Sequence, residues 1–179
     1  MIIVEGADGM GKTQLCRRLS EEFKGEVLHS PGPTIDLSNW IMQYLTAPRG
    51  YSNSIFDRFF FSELIYGPVL RDGVMWDNET RSFMMGHLLA ASPMIIFCMR
   101  SPDKAWDYVI NSEHETKHEH DLIQQIEEQN FRAICESYIT YSMALATLYP
   151  YHLVYDFDHL HEDVIVEHVA NYLEEVHTL

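Results

Sequence analysis

Gly6-Ala7-Asp8-Gly9-Met10-Gly11-Lys12-Thr13 is the stretch on which the reading of this chain turns. It fits the pattern G-x-x-x-x-G-K-[ST] at every fixed position. Its flanks agree with it. Ile2-Ile3-Val4 is a short apolar run suited to a buried strand. From Gly11 to Phe23, Leu15, Leu19 and Phe23 recur at four-residue spacing, which predicts an amphipathic helix. Strand, glycine loop and helix in that order make an anion cradle. The glycines let the backbone curl until several N–H groups face one phosphate, and the helix N-terminus adds its partial positive charge. Lys12 then reaches the β- and γ-phosphates, and the Thr13 hydroxyl is placed to ligate Mg²⁺. The motif therefore predicts bound ATP with Mg²⁺, held by Gly6, Asp8, Gly9, Met10, Gly11, Lys12, Thr13 and Gln14.

Further strands are expected at Val27-Leu28-His29, at Ser54-Ile55-Phe56 ending in Asp57-Arg58, at Met94 to Met99, and at Leu153-Val154-Tyr155. Helical stretches are expected over 36–45, 59–70, 78–91 and 121–149. The buried face of the last would be Ile123, Ile126, Phe131, Ile134, Tyr138, Tyr141, Leu145 and Leu148. A closing amphipathic helix is marked by Ile165, Val169, Tyr172, Leu173 and Val176. Residues 101–120 are polar and weakly patterned, and read as a lid-like mobile connection with some helix. The alternation of strand and helix predicts a single three-layer α/β domain over 1–179, with a five-stranded parallel sheet covered on both faces.

The chain has 179 residues, 46% of them hydrophobic, enough for a core of its own. Its net charge of −15, from 12 Lys+Arg against 27 Asp+Glu, disfavours a broad grip on nucleic-acid phosphates but leaves room for a local anion site. Cys16, Cys98 and Cys135 sit in apolar patterns and read as reduced core thiols. No apolar run is long enough to span a membrane, and the first residues lack the features of a secretory signal. A cytoplasmic location is expected.

A second group of polar residues points to an acceptor. Asp8 places a carboxylate where the chain wraps phosphates, an arrangement that makes sense if it faces a hydroxyl, a cation or Mg²⁺; a solvent-facing turn aspartate is the plainer alternative. Glu5 stands immediately before the loop. Asp57-Arg58 ends a central strand, and strand C-termini line the ligand crevice of such sheets. Arg58 could fork onto a transferred phosphate, and Asp57 could accept a hydroxyl proton or hold a Mg²⁺-bound water; a structural ion pair is the alternative.

Glu5 to Gln14 resembles the phosphate loop of thymidylate kinases. Asp57-Arg58-Phe59-Phe60-Phe61-Ser62, with Tyr66, is similar to that family's Asp-Arg-Tyr-x-x-Ser-x-x-x-Tyr segment, and Pro31-Gly32-Pro33-Thr34 is weakly similar to its Pro-Gly-Gly-Thr. The compact form, with Tyr66-Gly67-Pro68-Val69-Leu70, looks like phage-encoded members. The resemblance implies phosphoryl transfer from ATP to a deoxynucleoside monophosphate. It implies that Lys12 and Thr13 bind donor phosphates and Mg²⁺, and that Asp8 faces the acceptor sugar hydroxyl. Asp57 and Arg58 would organise Mg²⁺ and the acceptor phosphate, with Glu5, Ser62 and Tyr66 lining the acceptor side. Arg100, at a strand end, would supply a further catalytic charge; an exposed solubilising residue is its other reading.

The chain departs from the family in two places. The stretch between Thr34 and Asp57 is too short for the further helix that holds the base, and between Arg100 and Arg132 the cations are Lys104 and Lys117 where the family offers arginines. The acceptor base therefore stays open. Two alternatives follow: a phage-type kinase acting on 5-hydroxymethyluracil within DNA, and a nucleotide-binding regulator without transfer. A homodimer is also allowed. His114-Glu115-Thr116-Lys117-His118 matches the H-E-x-x-H pattern of zinc proteases, but the run is charged throughout and has no apolar face, so it reads as a solvated stretch. Trp40, Trp76 and Trp106 read as packing rather than as pocket walls.

Overall fold

A computed structural model describes residues 1–30, 39, 41–42, 54–111 and 126–177. Five parallel strands form one sheet: β1 (Ile2–Glu5), β2 (Val27–His29), β3 (Ile55–Asp57), β4 (Met94–Met99) and β5 (His152–Asp156). Their spatial order is β2-β3-β1-β4-β5. The six helices described are α1 (Lys12–Phe23), α2 (Phe60–Arg71), α3 (Asn78–Ala91), α4 (Pro102–Asn111), α5 (Glu128–Ala146) and α6 (Glu162–His177).

The chain moves one way across the sheet from β1 to β2, and the other way from β3 to β4 and from β4 to β5. Right-handed crossovers therefore place α1 on one face and α2, α3 and α5 on the other. The packing follows, with α6 against α1 and α5 against α2. Strands covered on both faces read as near-continuous apolar runs. Every residue of β1 and β3 is buried, as are Met94 to Cys98 of β4.

The described residues bear out the expected five-stranded parallel α/β domain. Leu15 and Leu19 of α1 are buried, as are Ile165, Val169 and Tyr172 of α6. The three cysteines are free and buried, and burial pushes the Cys98 and Cys135 thiols up to about 12.

The bounds of one helix are corrected. The long helix begins at Glu128, with Ile126 in a bend before it. Phe131, Ile134, Tyr138 and Leu145 of its expected face are buried, but Leu148 lies past the helix end and is 78% exposed. Within the stretch read as a connection with some helix, residues 102–111 form a ten-residue helix whose Ala105 and Val109 are buried. Trp106 packs at a tilt against Phe131 of α5, 5.3 Å between ring centroids. Ala105, Val109 and the half-buried Trp106 recur on one face of α4 and meet the core. Trp76 is also buried in the core. Of the helix expected over 36–45, only Asn39, Ile41 and Met42 are among the described residues, and all three are helical. Trp40, residues 112–120 with the H-E-x-x-H run, and the Pro31-to-Thr34 turn lie outside the described residues.

Candidate active site

The crevice lies at the C-terminal edge of the sheet, beside β1, where the direction of the connections reverses. The loop between β1 and α1 wraps it. Gly6 has φ 151°, and a Cβ there would lie 2.6 Å from the Cys98 carbonyl oxygen of the neighbouring strand. Gly11 has φ 82°, and its missing Cβ makes room for the Phe157 ring. Gly11 is also the N-cap of α1 and has no side-chain oxygen to offer. The first turn that follows holds no acidic residue, so its N–H groups keep their affinity for an anion.

Lys12 is buried, and its Nζ donates to the Ala7 carbonyl at 2.8 Å, curling back over the loop. Burial and the charge of Arg58 lower its pKa. A phosphate arriving at the cradle would relieve both influences. Thr13, in the first turn of α1, is exposed toward solvent.

Across from the loop, β3 ends in Asp57 and the chain turns sharply at Arg58. The Arg58 N–H donates to the Val4 carbonyl at 2.9 Å, continuing the β3–β1 ladder by one bond. Its φ is 68°, a left-handed conformation that costs a non-glycine residue of order 1 kcal/mol or more. Two contacts hold it there. Glu5 Oε1 accepts the next N–H, that of Phe59, at 2.7 Å. The Arg58 side chain folds back across the crevice: Nη2 donates to Asp8 Oδ1, Nη1 approaches Ser62 Oγ at 3.4 Å, and the guanidinium carbon lies 5.1 Å from the Tyr66 ring centroid. Tyr66 Oη donates to the other Asp8 oxygen at 3.0 Å. Burial alone would push the Asp8 carboxyl up, but Arg58, Lys12 and the Tyr66 hydrogen bond together hold it below its usual range.

Beneath this pair lies a second, fully buried carboxylate. Glu5 Oε2 accepts from Ser62 Oγ at 2.8 Å and from Tyr138 Oη at 3.2 Å. Burial raises its pKa against the pull of these donors and of Arg58. Glu5 thereby ties β1, the Arg58 turn, α2 and α5 to one point.

Asp57 is buried and divided between two environments. Its Oδ2 lies 3.2 Å from His29 Nδ1, at the end of β2. Its Oδ1 is buried and has no hydrogen-bond partner among the described residues. An orphaned buried carboxylate oxygen is costly, and it is the kind of atom that a water on Mg²⁺, or a hydroxyl proton, would satisfy. The site thus fits Mg²⁺ carried in with a nucleotide, with Asp57 and Thr13 as the candidate holders. Among the described residues no cluster of three or more His, Cys, Asp or Glu side chains is arranged to hold a metal ion unaided.

No protein-family model and no curated protein sequence matches the chain. Solved structures do. YorR from Bacillus subtilis, described in complex with phosphorylated GDP, superposes with a TM-score of 0.73 at 20% identity, over 99% of this chain and 98% of that one. Deoxyadenosine kinase from M. mycoides, with bound dCTP, gives 0.61 at 19% identity, over 98% of this chain and 100% of the other. Thymidylate kinase from Candida albicans gives 0.56 at 13% identity, over 97% and 90%. The fold is that of the P-loop nucleotide kinases.

On this fold, Glu5, Asp8, Arg58, Ser62 and Tyr66 come together as one hydrogen-bonded group beside Lys12. Arg100 lies outside that group, against the phosphate loop. Its Nε pairs with Asp158 Oδ1 at 3.1 Å, its Nη1 reaches the Gly9 carbonyl at 3.4 Å, and its guanidinium carbon sits 5.0 Å from the Phe157 ring centroid. It therefore clamps the back of the phosphate loop to the β5–α6 turn. Met10 is in the core, and the Gln14 amide approaches Glu162 Oε2 of α6 at 3.4 Å.

Sequence reasoning placed Tyr138 only on a buried helix face, and His29, Phe157 and Asp158 in no site at all. Tyr138 reaches Glu5 across 133 positions of chain. Its neighbours in sequence are apolar or small, and no local signal marks its hydroxyl. For His29 the signal available was its place at the C-terminal end of a predicted strand, the same argument that selected Asp57.

Proposed function

We propose that this chain transfers the γ-phosphoryl group of ATP to a deoxynucleoside monophosphate. The observation that carries the reading is the hydrogen-bonded Asp8–Arg58–Tyr66 group beside Lys12. It offers a cation for an incoming phosphate and a carboxylate for a sugar hydroxyl within one crevice. The loop N–H groups, the α1 N-terminus and Lys12 would hold the donor phosphates. Lys12 would exchange the Ala7 carbonyl for a phosphate oxygen. Thr13 and Asp57 would hold Mg²⁺, which offsets the charge of the β- and γ-phosphates when bound. Arg58 would leave Asp8 in part to fork onto the phosphate that attacks. An acceptor oxygen then forms its bond to the γ-phosphorus as the bond to the β–γ bridging oxygen breaks, and ADP leaves. No covalent intermediate on the protein is needed, so catalysis would come from positioning and charge.

A second reading is favoured by the orphaned Asp57 Oδ1. An attacking hydroxyl, unlike a phosphate, has a proton to lose, and this oxygen could accept it. That reading covers a nucleoside acceptor, consistent with the likeness to deoxyadenosine kinase, and the 5-hydroxymethyl group of a base in DNA. The net charge of −15 weighs against the DNA form.

One panel tests these readings: ATP turnover with deoxynucleoside monophosphates, deoxynucleosides and hydroxymethyluracil-containing DNA, each with Mg²⁺ and after EDTA. Turnover only with monophosphates, lost to EDTA and restored by Mg²⁺, is expected. Turnover only with a hydroxyl acceptor would transfer the proposal to the second reading. ATP binding without turnover on any acceptor would leave a nucleotide-binding regulator.

A further inference from the structure

The described residues leave one contact at the mouth of the crevice that the proposed reaction does not use. β2 and β3 pair in parallel with His29 opposite Asp57, so the last side chains of the two strands stand on the same face of the sheet. The Ser30 N–H donates to the Asp57 carbonyl at 3.2 Å and fixes that register one residue further. His29 Nδ1 then lies 3.2 Å from Asp57 Oδ2. The His29 side chain is 67% exposed, whereas that of Asp57 is 9% exposed. The histidine therefore contributes little packing, and its contact is directed at one atom.

That contact decides which carboxylate oxygen is spare. With Oδ2 engaged by His29, Oδ1 is the buried oxygen left without a partner among the described residues. Lys12 lies near enough for its charge and that of Asp57 to act on each other. Without His29 the carboxylate could rotate about its last torsion, which is soft and roughly two-fold, and spend an oxygen on Lys12 or on water.

We propose that His29 is a positioning residue: its Nδ1–H holds Asp57 Oδ2 so that Oδ1 stays available to the Mg²⁺ that accompanies ATP. This rests on the reading of Asp57 as a holder of that ion and adds the group that aims it. Partners that orient a ligating side chain commonly matter by about 10- to 100-fold in metal affinity. A merely superficial contact of an exposed histidine would matter far less.

The test is calorimetric titration of ATP, with and without Mg²⁺, into the wild-type chain and into His29→Ala, His29→Asn and Asp57→Asn. The quantity read is the gain in ATP affinity due to Mg²⁺. His29→Ala is expected to cut that gain about 10-fold or more, with metal-free ATP binding unchanged. His29→Asn carries an amide N–H close to the place of Nδ1–H and is expected to recover most of it. Asp57→Asn should lose the gain, and thermal melts should show all three variants folded. If His29→Ala keeps the full gain while Asp57→Asn loses it, or if His29→Asn fails to recover it, the positioning role is wrong and the Asp57 assignment stands. If Asp57→Asn itself keeps the gain, the assignment of Asp57 fails and the proposal fails with it.

Discussion

Lys12 and Arg58 mark the two sides of the crevice, and their losses should differ. Lys12→Ala removes a side chain whose hydrogen bond among the described residues goes to the Ala7 carbonyl, so the fold should survive while phosphoryl transfer is lost. A folded variant with normal turnover would exclude the nucleotide site. Arg58→Ala should cut turnover by about 100-fold or more, the scale of one transition-state charge contact, with ATP affinity changed much less. Arg58→Lys should not restore it, because an ammonium cannot span Asp8 and a phosphate as a planar fork can. Turnover near normal with a lowered melting temperature would instead make the Asp8–Arg58 pair structural. Glu5 gives a prediction about pH. Burial raises its folded pKa above the 4.5 of an exposed Glu, so the native state binds this proton more tightly than the unfolded chain does. Stability from this group is full below about pH 4.5 and is lost as pH rises through the folded value. Glu5→Gln keeps an acceptor for the Phe59 N–H and cannot titrate. Urea unfolding of that variant from pH 4 upward should therefore lack this component of the decline; an unchanged pH dependence would show that Glu5 is ionised at little cost.

At the scale of elements, the site depends on how α2, α4 and α5 meet the sheet. Phe59, just before α2, and Phe60 and Phe61 at its start pack three aromatics in a row, with Phe60 and Phe61 stacked at 4.6 Å and Phe61 against Phe97 of β4 at 5.9 Å. Ser62 and Tyr66 emerge from the same helix on its crevice side. The helix therefore carries core on one face and chemistry on the other. Helix α4 touches the loop directly: a Cβ at Gly9 would come within 2.8 Å of the Ala105 carbonyl oxygen. Phe131 of α5 backs α4 through Trp106. Phe131→Ala should destabilise the fold by about 3–5 kcal/mol, as for other large core truncations. Chemical denaturation would measure it; a cost below about 1 kcal/mol would mean that the α4–α5 joint is not tightly packed.

Over the whole molecule, one contiguous core joins sheet and helices, and the nucleotide would bridge the loop after β1 to the turn after β3. A ligand that binds only the folded chain stabilises it by RT ln(1 + [L]/Kd), about 2.7 kcal/mol at a hundredfold excess over Kd. For a domain of this size that corresponds to a rise in melting temperature of about 5–11 °C. ATP with Mg²⁺ should produce such a rise in the wild type and little in Lys12→Ala. An equal rise in both would place the nucleotide somewhere other than this loop. Among the described residues no helix is long and apolar enough to cross a membrane.

The order of strands and helices, the parallel sheet and the phosphate loop were all readable in the chain itself. Each rests on local chemistry: apolar runs ended by glycine, apolar residues at helical spacing, and a loop motif whose fixed positions are neighbours in sequence. Asp57 and Arg58 were legible because strand ends face the crevice in any such sheet. The sheet order decided the rest. It put His29 beside Asp57 by pairing β2 with β3, and brought Tyr138 to Glu5 by laying α5 over β4. It also turned Arg100 onto Asp158, where the sequence allowed either a catalytic charge or a solvated one. The start of α5 was likewise settled by packing, whereas the face of α4, with Ala105, Trp106 and Val109 at helical spacing, was there to be read in the chain. Contacts between residues far apart in the chain depend on which strands become neighbours, and no short window of sequence contains that information.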